Sequence, residues 1–251
     1  MIRLIYINTL EWLRLKFFHI ILFLAFLFYI LSFLVGSLSF TEQERIFFDF
    51  GLGGIEVATV FLATFLSTHA LYREIERKTI LVLLARPISR WQLLVGYLGS
   101  LMILNLIVIV ILGGMLYFGL EEASRYQVTL LSSLFVIFLK SVVISAFGLV
   151  CAVLSRPMFG FVLTLAFWIA SYSLPDVIFL AAKLKNDFLI LVTKVLDFII
   201  PNFYLFNWKN YSYLQSNFVL NDFLWAVFHC LIWTTFLFLV ASLLFRRKEI
   251  V

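Results

Sequence analysis

Six stretches of this chain, residues 17–38, 50–71, 93–118, 128–154, 158–180 and 223–245, are apolar with at most one charged residue apiece. Each is long enough to cross a hydrocarbon core of about 30 Å, which takes about 20 helical residues. Lipid offers no partner to a bare peptide group, so such segments cross as helices. The expected fold is therefore all-α: a polytopic membrane protein with six transmembrane helices in one domain spanning residues 1–251. With 64% of its residues hydrophobic and 13% charged, the chain has too little polar surface to coat a water-soluble globule. Gly36, Gly113, Gly114, Gly148 and Pro175 lie inside or beside the spans, where neighbouring helices tolerate them.

Lys and Arg fix the orientation, because short cytoplasmic loops hold the excess. One side carries twelve: Arg3, Arg14, Lys16, Arg73, Arg77, Lys78, Arg86, Arg90, Arg156, Arg246, Arg247 and Lys248. The other carries six, four of them diluted in one long loop. Both termini are expected on the cytoplasmic side. The net charge of +5 follows from this topology and is no nucleic-acid footprint.

Residues 1–16 are interrupted by Arg3, Asn8, Glu11, Arg14 and Lys16, which does not fit a cleavable signal. Leu4, Ile5, Ile7, Leu10 and Leu13 recur at helical spacing, as in a helix lying in the membrane interface. Cys151 and Cys230 fall inside spans and read as small packing residues. His69 and His229 stand apart on different spans, so no metal site is expected.

On the outer side, Thr41-Glu-Gln-Glu44 has the pattern of a capping box that starts the second span. Residues 181–222 form a long interfacial segment, with a helix expected over 187–200 and stopped by Pro201. The aromatics that follow, Phe203, Tyr204, Phe206, Trp208, Tyr211, Tyr213 and Phe218, suit anchoring at headgroup depth.

The densest charge lies in residues 72–92, between the second and third spans. Ile75, Thr79 and Leu83, with Ile80 and Leu84, give a short amphipathic helix. Pro87 ends it. Ser89-Arg-Trp-Gln92 is a second capping box, from which a new helix runs into the third span. A loop that only obeyed charge bias would need no such defined starts and stops.

These residues carry a family resemblance. Tyr72-Arg-Glu74, Glu76, Lys78-Thr79, Leu83-Leu84, Arg86-Pro87-Ile-Ser89-Arg90, Gly96 and Gly99 resemble the motif of ABC-2-type ABC transporter permeases. The likeness extends over the chain, from Glu11 and Arg14 in the first helix to Pro201 and the terminal Phe245-Arg-Arg-Lys-Glu249, and is nearest the copper-enzyme-maturation and gliding-motility branch. Lys78 and Tyr97 depart from it, standing where the family often has Gly and Lys. The resemblance implies a multi-pass subunit of the inner (cytoplasmic) membrane that pairs with a second permease chain, identical or paralogous. It also implies a separate ABC ATPase subunit, seated on the cytoplasmic coupling helix through Arg73, Glu74, Glu76, Lys78, Thr79, Arg86, Pro87, Ser89 and Arg90. The chain has no Gly-Lys dipeptide and hence no phosphate-binding loop, so it is not expected to be an enzyme. ATP and Mg would be handled by the partner, and no cofactor by this chain. An outer or periplasmic accessory protein stays open as a further partner.

Glu56 and Lys140 fall deep inside the second and fourth spans, where an isolated charge costs at least about 2.5 kcal/mol. Either they pair or line a pathway, or each snorkels to a polar edge. They also support the alternative of an ion channel or secondary carrier, although no inverted repeat is visible. A membrane enzyme would need convergent polar groups, whereas Asp49, Asp176 and Asp222 are scattered.

Overall fold

The computed structural model describes residues 2–38, 43–76, 89–120, 123–184, 187–206 and 220–247. Their regular structure is helical throughout, with no strand among them: α1 (Ile2–Leu13), α2 (Lys16–Ser37), α3 (Gln43–Glu76), α4 (Arg90–Gly119), α5 (Ala123–Leu154), α6 (Pro157–Leu184), α7 (Asp187–Ile199), a 3-10 turn (Phe203–Phe206) and α8 (Leu220–Arg247). Six of these, α2 to α6 and α8, are long and apolar enough to cross a membrane. The chain is an all-α polytopic membrane protein.

One expectation about the ends of α3 stays open and one changes. Thr41 and Glu42, half of the outer capping signal, lie outside the described residues. At the other end, Tyr72-Arg-Glu-Ile-Glu76 continues α3 instead of opening a separate helix. None of these five residues breaks a helix, so α3 runs on past its apolar window.

The spans are not equivalent. In α3 and α5, 67% and 78% of the most apolar window is buried, against 17% in α6 and α8 and 22% in α2. Two helices therefore form the centre, and the others lay one face on them. Small residues bring the central pair together: a Cβ at Gly148 would overlap the Ser67 side chain. Hydroxyls in the seam donate to their own helix, Thr59 Oγ1 to the Ile55 carbonyl at 2.9 Å and Ser145 Oγ to the Ser141 carbonyl at 2.7 Å. Outward faces carry Phe159, Val162 and Leu239.

Helix α1 packs on the start of α4, with Leu4 and Ile5 against Gly96 and Gly99. Trp12 stacks on Tyr97 at 6.0 Å, and Ser100 Oγ lies 3.1 Å from the Ile5 carbonyl. Of the expected apolar stripe, Leu4, Ile5 and Leu13 are half-buried, while Ile7 and Leu10 face outward as in a helix lying against lipid. Asn8, Thr9 and Trp12 point inward while Tyr6, Ile7 and Leu10 are exposed. The reason is the surroundings: beside lipid, outward apolar groups cost nothing, and polar ones turn toward protein.

Helix α7 forms as expected and ends before Pro201. The aromatics behind it do not all anchor at the interface. Phe203 and Phe206 are buried, Phe203 meeting Phe167 edge-on at 6.3 Å and Phe206 lying 6.0 Å from His229. The 3-10 turn points both rings into the bundle, where burial outweighs headgroup contact. Residues 207–219 lie outside the described set.

Candidate functional site

The two intramembrane charges come together. Lys140 Nζ on α5 donates to Glu56 Oε1 on α3 at 2.8 Å, with side-chain exposures of 3% and 8%. Parallel running of α3 and α5 sets this up, since the Gly148–Ser67 contact lies roughly two to three turns further along both helices. Neither side chain snorkels. Removing one partner from such a pair strands the other, at about 3–5 kcal/mol. Lys140 Nζ also stands 5.7 Å from the centre of the Tyr172 ring on α6.

Beside the pair, α3 and α6 leave a cleft of about 270 Å³, lined by Gly53, Glu56 and Val57 on one helix and Trp168, Tyr172 and Ser173 on the other. Trp168 and Tyr172 are four residues apart and so share a helix face. One turn on, Pro175 has no N–H to donate to the Ser171 carbonyl. Ser171 Oγ and the Trp168 indole N–H are both buried and have no hydrogen-bond partner among the described residues. The arrangement holds Glu56 at the edge of an opening lined by aromatic and small residues, with Lys140 bonded behind it.

The second group of expected site residues surrounds the exit of α3 and the start of α4. Arg73, Glu74 and Glu76 lie in the last two turns of α3. Lys78, Thr79, Arg86 and Pro87 lie outside the described residues, as does most of the expected coupling helix. Ser89 is extended and caps α4: its N–H donates to Gln92 Oε1 at 3.0 Å, and its carbonyl accepts from the Leu93 N–H at 3.2 Å. Arg90 reaches α8. Its Nη1 donates to the carbonyls of Phe245 and Arg246 at 2.8 and 3.2 Å, and its guanidinium lies 5.6 Å from the Phe245 ring centre. These are carbonyls at the negative end of a helix, where a cation is favoured. The start of α4, the end of α8 and helix α1 thus gather at one end of the bundle.

A family model, described as ABC-2 family transporter protein, matches residues 4–249. The chain belongs to this family. No curated protein matches it. As an ABC-2 family protein with six membrane-crossing helices, it is a multi-pass permease subunit of an ABC transporter.

In this ABC-2 chain, the sequence singles out Glu56 and Lys140 but not Trp168 and Tyr172. Their four-residue spacing on the fifth span is visible, but aromatics in a span ordinarily face lipid or pack. The Arg90–Phe245 contact joins residues more than 150 positions apart and has no local signal.

Proposed function

We infer that the chain is one half of a paired transmembrane unit, driven by separate ATPase subunits seated where α3 leaves the bundle and α4 enters it. The observation that carries this reading is the family match over residues 4–249, nearly the whole chain. The local structure is suited to the task. Helix α3 continues beyond its apolar window with Arg73, Glu74 and Glu76 in its last turns, and α4 begins at the capped Ser89. Closure of an ATPase dimer would press on the connection between them. Arg90 would pass that push to α4 and, through its bonds to α8, to the last span. ATP and Mg belong to the partner, and this chain contributes no catalytic group. The unit sits in the inner membrane with both termini cytoplasmic, and exports a solute or transmits motion to an outer partner.

Purification of the tagged protein from native membranes in mild detergent tests this. A Walker-motif ATPase should accompany it in near-equal amount and be lost from a Glu74→Lys, Glu76→Lys variant. Recovery of the protein without any nucleotide-binding partner would sink the reading. The buried Glu56–Lys140 pair then favours the second one, an ion channel or secondary carrier.

A further inference from the structure

The Glu56–Lys140 pair is a carboxylate and an ammonium, 2.8 Å apart, at the wall of a cleft of about 270 Å³. Glu56 lines that cleft directly, and Lys140 stands behind it, near the face of Tyr172. On the facing helix, the buried Trp168 indole N–H has no acceptor among the described residues. The opening lies on the flank of α6, where Ile169 is 57% and Tyr172 45% exposed among apolar neighbours.

In so dry a place, charge decides what can enter. A neutral ligand leaves the pair closed. A ligand of one charge can satisfy only one member and strands the other, which is the costly outcome for a buried pair. A head group carrying both an ammonium and an oxyanion can satisfy both at once. Its ammonium would meet Glu56 beside the Trp168 and Tyr172 rings, which favour cations. Its oxyanion would meet Lys140, with the Trp168 N–H as a second donor.

We propose that this cleft binds zwitterionic head groups, exchanging the Glu56–Lys140 bond for one bond from each side chain to the ligand. The proposal rests on the permease reading, for which it names a substrate class. The shared chemistry could come from a lipid, whose tails would lie along the apolar flank of α6, or from a soluble zwitterion.

The test uses the full-length protein in nanodiscs of equal phosphatidylethanolamine and phosphatidylglycerol, with retained lipid read by native mass spectrometry. The zwitterionic lipid should be enriched roughly tenfold over the anionic one, the scale of one charge-assisted hydrogen bond. A Glu56→Gln, Lys140→Met variant, which keeps the volume and strands no charge, should bring the ratio to one. Trp168→Phe should lower it without abolishing it. Equal retention by the wild type, or a preference that survives in the double variant, overturns the proposal. Added glycerophosphoethanolamine separates the sources. Displacement of the lipid marks a site that reads the head group alone, and failure to displace marks one that also needs tails, the double variant being blind to both. The same preparation is scored for an accompanying ATPase. An ATPase with no lipid preference defeats this proposal alone, and a preference with no ATPase defeats the permease reading alone.

Discussion

Lys140 and Glu56, 84 positions apart in sequence, meet at 2.8 Å across the seam between α5 and α3. The contact joins the two most buried helices of the bundle at a depth where neither charge reaches solvent. It serves as both an electrostatic bond and a positional lock, because slipping either helix by a turn separates the groups by about 5 Å.

Lys140→Met should therefore lower the thermal stability of the detergent-purified protein by the equivalent of about 3–5 kcal/mol, since Glu56 is left without its ammonium. The Glu56→Gln, Lys140→Met double variant should recover most of that loss. A double-mutant cycle with no coupling between the sites would show that the contact carries no energy.

Glycine substitutions should separate the seam from the surface. Gly148→Ala drives a methyl into the Ser67 side chain, and α3 and α5 must part. A cost of about 1–3 kcal/mol is expected in thermal unfolding. A methyl added at Gly114 would meet nothing within 4 Å, so Gly114→Ala should be neutral or stabilising by up to about 1 kcal/mol from helix propensity.

Arg90→Ala should loosen the end of α8. Amides near Phe245 should exchange with deuterium faster, while those in the middle of α8 stay protected. Arg90→Lys keeps a cation near the last carbonyls but loses the planar fork and the ring contact, so it should fall between the two. Unchanged exchange at residues 244–247 in Arg90→Ala would remove the clamp.

Trp12→Ala should detach α1 from α4, because it deletes the ring stacked on Tyr97. The loss is about 3 kcal/mol if the site cannot collapse. Hydrogen exchange should rise across residues 2–13 and leave α5 unaffected.

Long apolar runs make the six spans legible, because membrane crossing is set by length and hydropathy within one segment. Ser89 and Gln92 are legible for the same reason, as a local cap. The protein-facing side of α1, with Asn8, Thr9 and Trp12, is not, because apolar spacing alone does not reveal which residues meet lipid and which meet protein. Phe203 and Phe206 defy their expected place because an aromatic-rich sequence does not reveal whether a ring meets headgroups or other rings. At the candidate site, two charges in apolar runs single out Glu56 and Lys140. The aromatic wall opposite them depends on how α6 packs, which no spacing within α6 specifies.

The separation of Lys140 from Glu56 also has a consequence for biogenesis. The helix bearing the acid emerges from the ribosome 84 residues before the base does, an interval of roughly 4–17 s at about 5–20 residues per second. For that time α3 must wait at the insertion machinery or lie in lipid with half of its pair unmade. The buried pair is thus complete only once α5 has arrived, and a translational pause between the two helices would lengthen the time that Glu56 spends without Lys140.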